Sequence, residues 1–453
     1  MMTEVRTDQV ANGSTAATTP NESRFAVLGV PGFAATYAVG VVWSMCRWGL
    51  GFLGAYVVTH KTGSPRLVQL TGAMLWAPLL LAGMVGGAVS DRFSRRKVLF
   101  GQFVVLCPLT VGVAALAAAD RLPIALLYAY MAAAGFGWVI DMTVRRAMVY
   151  DIVGDAYLNR AMAFEGLSSS LGLAAGAMAG GALASLGTGT AYLVVAAAML
   201  VAALLVLRTP SAASLHRPVP VVPAPSAAGP APTDDAPDGA GPPPAAAPPV
   251  PPAAGSQSFV TEVAEGLRFL GRAPTLLSIL GVTAITNFFH FAYFPIVPLV
   301  AERVGASAFF AGFLAAATGF GMAVGSTFVI TRGPARGRAY VTGATGAFLL
   351  LNGFALFQHY VPVYLSLLLA SSFVGVFGAT QSVLVMTAVE PHMRGRALGM
   401  LSMAIGWLPV GMYLLGELAQ AVGASAALVA ANVAGVACLW LFLAWRPQVL
   451  KIV

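Results

Sequence analysis

Charge is what this sequence has least of. Only 9% of its 453 residues are Asp, Glu, Lys or Arg, against 58% hydrophobic, and mean hydropathy is +0.81. A soluble domain is nearer a quarter charged. A chain of this length without polar surface cannot face water on all sides, so its solvent is lipid. Cysteine is almost absent. Cys46, Cys107 and Cys438 are odd in number, far apart and inside apolar runs, which argues against a disulfide or metal framework and reads as small buried hydrophobes. Met1 to Arg24 lack the apolar core of a cleavable signal, so the first span is expected to serve as an uncleaved insertion signal. No Gly-x-x-x-x-Gly-Lys-Ser/Thr run is present, which removes the usual ATP-binding loop. No metal-ligand cluster or nucleophile–base spacing supports an enzyme, and no cofactor is expected. The net charge of +8 sits mostly in short loops between apolar runs, not in a basic soluble domain, so nucleic acid is not an expected partner.

What the chain has is apolar runs of spanning length. A membrane helix needs about 20 mostly apolar residues. Candidates lie near 33–58, 67–89, 98–118, 123–149, 162–186 and 190–207, then 274–300, 307–330, 339–357, 361–388, 397–418 and 423–444. The fold class expected is therefore an all-α membrane protein of twelve transmembrane helices, arranged as two pseudo-symmetric six-helix bundles. The runs lack the alternation of a lipid-facing barrel. Between the halves, Thr209 to Gln257 is built from Pro and Ala with acids only at Asp234, Asp235 and Asp238, which predicts an extended, disordered tether. The expected organisation is a tail at 1–24, a bundle at 25–208, the linker at 209–257, a second bundle at 258–446 and a tail at 447–453. Phe259 to Leu270 carries helical spacing with one apolar side, as in a helix lying on the membrane surface, with a plain extension of span seven as the alternative.

Basic residues set the orientation. Arg92, Arg95, Arg96, Lys97, Arg332, Arg336, Arg338, Arg394, Arg396, Arg446 and Lys451 fall on one side, and only Lys61, Arg66, Arg121 and Arg303 on the other. Both termini and the tether are then cytoplasmic, in the cell membrane. A shift of 236 positions lays Arg160 on Arg396, Ala161 on Ala397, Gly180 on Gly416 and Gly187 on Gly423, as expected of a duplicated bundle.

The loop after span two reads Gly86-Gly-Ala-Val-Ser-Asp91-Arg-Phe-Ser-Arg95-Arg-Lys97. Ordinary basic-loop topology explains the cations but not the acid among them. The pattern resembles the signature loop of the major facilitator superfamily through Gly87, Asp91, Arg92, Arg95 and Arg96, with Ser94 in place of a Gly. The resemblance implies a transporter in which this loop helps lock the cytoplasmic gate, with Asp91 and Arg95 in a charge network; Asp151 and Asp155 are read as loop charges, with membership of that network as the alternative. Span four carries Asp141-Met-Thr-Val-Arg145, then Asn159-Arg160-Ala161. Acid and base four apart share a helical face, and pairing offsets much of the roughly 2.5–3.5 kcal/mol that each costs alone in a span. This stretch, and Arg394-Gly-Arg396-Ala-Leu with Gly406 and Pro409, resemble the enterobactin and macrolide exporter branch, although Thr143 stands where Pro is usual. Gly172, Gly176, Gly180 and Gly181 give small-residue spacing for helix packing and resemble the antiporter motif, with Ala177 in place of its Pro.

In this fold, spans one, four, seven and ten are expected to line the cavity. The candidates there are Arg47, Asp141, Arg145, Asn287, His290 and Gln381. Intramembrane charge is a functional hypothesis with a partner to be named, and Asp141 is the partner expected for Arg47, with a purely structural ion pair as the alternative. His290 is either a proton-sensing group or a packing histidine. Glu165 and Glu417, near span ends, are read as solvated surface. The reading is a monomeric, proton-coupled secondary transporter exporting a small amphipathic molecule such as a siderophore or antibiotic. Import of a nutrient, and a non-transporting receptor or enzyme, are the alternatives.

Overall fold

The computed structural model describes residues 26–81, 94–210, 273–332, 337–390 and 393–452. Gly87, Asp91 and Arg92, the tether from residue 211 and the Phe259–Leu270 stretch lie outside the described residues. Twelve helical segments follow the apolar runs: α1 (Phe33–Thr62), α2 (Pro65–Trp76), α3 (Arg95–Ala118), α4 (Ile124–Gly154), α5 (Arg160–Ala184), α6 (Thr188–Val206), α7 (Pro274–Arg303), α8 (Ala308–Val329), α9 (Gly337–Leu356), α10 (Tyr360–Thr387), α11 (Ala397–Val422) and α12 (Ala424–Trp445). Among the described residues, eleven are long and apolar enough to cross a membrane. The exception is α2, which continues as a tighter turn over Ala77–Leu81 to the edge of the described residues.

Local sequence explains the boundaries. Gly63, at φ 59°, closes α1 by returning its N–H to the Thr59 carbonyl. Ser64 then caps α2, its hydroxyl accepting from the Leu67 N–H, with Pro65 in the first turn. The duplication is visible in the backbone. Gly187 and Gly423 open α6 and α12 with φ of 115° and 85° and ψ of 140° and 151°. A side chain would be strained at both positions.

Helices α1–α6 form one bundle and α7–α12 the other. Close approach depends on small residues. A Cβ on Gly176 of α5 would lie 2.4 Å from the Met45 carbonyl oxygen of α1, and one on Gly172 would lie 2.1 Å from the Ser44 hydroxyl. Gly180 meets Phe52 and Gly49. Gly181 crosses to the other bundle, where it and Gly312 of α8 would each bring a Cβ within 2.6 Å of the other's Cα. The bundles also interlock through α2. Ser64 donates to Gln420 at 2.7 Å, Arg66 pairs with Glu417 at 3.1 Å, and Gln69 donates to the Ala292 carbonyl at 2.8 Å. These contacts lie toward the end of the molecule opposite the tether, hereafter the far end.

Candidate functional site

Span four does not run as a regular helix. Asp141–Arg145 form a π-helical turn, a wider winding often found at functional sites. It brings Asp141 and Arg145 to one side, where Nε and Nη2 of Arg145 donate to the two Asp141 carboxylate oxygens, the second at 3.1 Å. The other edge of the guanidinium, Nη1 and Nη2, donates to both oxygens of Glu165 at 2.6 Å each. All three side chains are buried. One planar cation thus bridges two carboxylates through four charge-assisted bonds, a geometry only Arg provides. Gly40 of α1 leaves the room: a Cβ there would lie 2.4 Å from Nη1 of Arg145.

Glu165 corrects the expectation of a solvated residue. It is 7% exposed, near the start of α5, where the backbone turns at Gly154 with φ of 61° before running back along α4. Arg47 is a second correction. It makes no ion pair with Asp141, whose oxygens are taken by Arg145. Its guanidinium instead lies 4.1 Å from the Trp138 ring centroid and 4.8 Å from that of Trp48. Its Nε has no hydrogen-bond partner although Arg47 is only 7% exposed. The aromatic faces stabilise the cation by cation–π attraction, about 2 kcal/mol where water is excluded.

These residues surround a polar cavity of about 90 Å³, lined by Arg47, Asp141, Arg145, Arg146 and Glu165 together with Ser44, Ser168 and Ser169. That space has room for several waters. Trp48 also lines a second, apolar cavity of about 50 Å³, walled by Trp76, Leu173, Phe294 and Pro298 from both bundles. Trp48, Trp76, Trp138 and Phe294 form one aromatic cluster between the two spaces, with centroids 3.8–6.4 Å apart.

The second-bundle candidates form separate groups. Asn287 donates to the Thr283 carbonyl at 2.9 Å, and Gln381 donates to the Thr283 hydroxyl at 3.2 Å, beside Tyr340. His290 ends another π-helical turn, Thr286–His290, packed among the rings of Phe291, Tyr293 and Phe348 at 5.4–5.5 Å. Neither of its ring nitrogens has a partner, and it lines neither cavity. At the tether end, Arg95 donates to Asp151 and to the Ala147 carbonyl, and Arg96 to the Leu207 carbonyl. These bonds tie the start of α3 to the ends of α4 and α6. Glu417, 37% exposed, holds Arg66 across the bundles. Cys438 departs from expectation in being exposed on α12.

Twin helical bundles meeting at a buried cavity are one architecture of membrane carriers. The family model of the Major Facilitator Superfamily matches residues 36–409. The chain belongs to the Major Facilitator Superfamily. Solved structures similar to it are transporters. A bacterial homologue of the human lysosomal transporter Spinster, inward-facing and unoccupied, superposes with a TM-score of 0.67 at 15% identity, covering 94% of this chain and 98% of that one. The nucleoside transporter NupG gives 0.64 at 13% identity, over 91% and 98%. The peptide transporter POT in complex with sulfate gives 0.68 at 10% identity, over 95% and 99%. At these identities the likeness establishes the fold alone. No curated protein matches the sequence. The expected fold and superfamily are thus borne out: this is a multi-pass major facilitator transporter of small molecules.

Proposed function

We propose that this major facilitator protein couples proton movement to the transport of a small amphipathic molecule, with the Asp141–Arg145–Glu165 triad as the proton site. The observation that carries the reading is a buried guanidinium clamped by two carboxylates on a π-turn at the wall of a cavity. A proton taken by Asp141 removes one clamp and resets the charge facing the substrate. The two bundles then rock about the apolar cavity whose walls come from both, exposing the adjoining polar site alternately to either side. The working unit is a monomer in the cell membrane with both termini and the tether cytoplasmic. The residue boundaries are 25–208 and 258–446 for the bundles and 209–257 for the tether. In that orientation the interlocked far end is the extracellular gate. The loop with Gly87, Asp91, Arg92, Arg95 and Arg96 forms the opposing cytoplasmic gate, whose Arg95 joins Asp151.

Export in exchange for protons is the direction supported by the resemblance of spans four, five and eleven to the siderophore and macrolide exporter branch. A second reading, import of substrate together with a proton, is favoured by the charges. Arg47, Arg145 and Arg146 outnumber Asp141 and Glu165 around the cavity. A bound proton adds positive charge there, which repels a cation and attracts an anion, and linkage makes the effect mutual. Exchange therefore goes with a cationic substrate and co-transport with an anionic one.

The test uses the full chain in lipid vesicles enclosing a pH-sensitive dye, challenged with labelled amphipathic candidates. Substrate-driven proton movement is expected, outward or inward according to the two readings. It is expected to vanish in Asp141→Asn while the protein remains inserted. Unimpaired coupled flux in that variant removes Asp141 from the mechanism.

A further inference from the structure

Arg145 spends its hydrogen bonds on two carboxylates, whereas the other two guanidiniums at the same cavity have no such partners. Arg47 is buried, its Nε is unbonded, and its guanidinium stacks on the π faces of Trp48 and Trp138. Arg146, next along α4, is exposed toward the cavity and makes no ion pair within 4.0 Å among the described residues. Ser44, Ser168 and Ser169 line the same cavity. Ser44 Oγ is itself buried without a partner. A buried polar group left unpaired carries a desolvation cost, and here a cation and a hydroxyl in one cavity carry it together. With Asp141 and Glu165 already engaged, the charge left over around the cavity is a single positive one.

We propose that this pair, Arg47 with Arg146, is the head-group subsite of the transporter and that it takes the carboxylate of an organic monoanion. Arg47 offers a flat fork held in place by two indoles, and Arg146 closes on the anion from α4. The serines supply neutral donors to the remaining lone pairs. A single negative charge balances the surplus, whereas a dianion leaves one charge uncompensated in a buried site. The apolar body of the ligand then passes Trp48 into the second cavity, between Trp76, Leu173, Phe294 and Pro298. Because that wall belongs to both bundles, a ligand anchored at Arg47 touches both bodies that must move. An aromatic or short aliphatic tail fits walls made of rings and branched chains.

This inference rests on the transporter reading, and the experiment separates the two. The full chain in neutral phosphatidylcholine vesicles is titrated with 2-naphthoate and with its uncharged counterpart 2-naphthamide, following intrinsic tryptophan fluorescence. Saturable quenching is expected with the carboxylate, tighter than with the amide by about tenfold or more. Arg47→Gln and Arg146→Gln are each expected to remove most of that preference. Arg47→Lys, which keeps the charge but not the stacked fork, is expected to retain part of it. Equal affinity for the two probes, absence of saturable naphthoate binding, or a preference that survives in both Gln variants overturns the subsite. Arg146 is exposed, so its variant reports even if loss of Arg47 compromises folding. Charge-selective binding without movement of naphthoate across the vesicle leaves the subsite standing and contradicts the carrier.

Discussion

Neutralising Glu165 and Asp141, separately and together, probes how far the buried triad acts as one unit. Either Glu165→Gln or Asp141→Asn leaves Arg145 with one full carboxylate, so each is expected to cost about 1.5–3 kcal/mol, the worth of a hydrogen bond to a charged group. The double variant leaves a cation, only 4% exposed at its side chain, with no anion bonded to it. Removing the partner of a buried charge costs about 3–5 kcal/mol, so the second substitution is expected to cost more than the first. The excess over additivity falls in the range of about 0.5–3 kcal/mol found for residues sharing a partner. Equilibrium unfolding in mixed detergent micelles, driven by a denaturing detergent, measures all four corners of the cycle. Adding Arg145→Gln to the double variant is expected to recover stability, since the stranded charge is gone. Single effects under about 0.5 kcal/mol refute the idea that Glu165 and Asp141 clamp Arg145, since surface changes do no more than that. Strict additivity refutes the shared partner.

Gly40→Ala puts a carbon where Arg145 now sits, so it is expected to dislodge the guanidinium and reduce proton-coupled flux by about tenfold while insertion is retained; unchanged flux shows that the clamp's placement is immaterial. Gly176→Val drives a side chain into the Met45 carbonyl and is expected to destabilise by about 1–3 kcal/mol in the same unfolding assay. Gly378→Ala, with nothing within 4 Å of the new carbon, is expected to be neutral or to stabilise by up to about 1 kcal/mol. Arg66→Glu sets like charges opposite Glu417 and is expected to weaken closure of the far end, raising cysteine labelling there, with Glu417→Arg restoring it; the pair is partly exposed, so the effect stays below about 1 kcal/mol.

The membrane fold was legible because lipid admits so few solutions. Long apolar runs and a Pro/Ala break are enough to give two bundles of helices, and the superfamily came from the resemblance of the loop carrying Gly87, Asp91, Arg92, Arg95 and Arg96 to its signature. The Asp141–Arg145 pair was legible for the same kind of reason, since a four-residue step places both on one side. Glu165 was not. It lies 20 residues from Arg145 in sequence and reaches it only because the chain folds back near Gly154. Its one signal was a carboxylate just inside a predicted span. The resting place of Arg47 was missed for a related reason. Pairing rules search for an opposite charge, whereas Trp138 lies one turn before Asp141 and covers Arg47 with a ring. The two π-turns leave no mark on apolar periodicity, so neither the geometry at Asp141 nor that at His290 could be read from residue spacing.

Movement of one bundle against the other at the far end is the account's central requirement. Spin labels at His60→Cys and Val422→Cys, in a chain without Cys46, Cys107 and Cys438, report that separation by pulsed electron resonance. The account predicts a short distance for the interlocked state and a second, longer one whose share changes with pH and in the Asp141→Asn, Glu165→Gln double variant. A single distance that is the same at every pH and in that variant contradicts it.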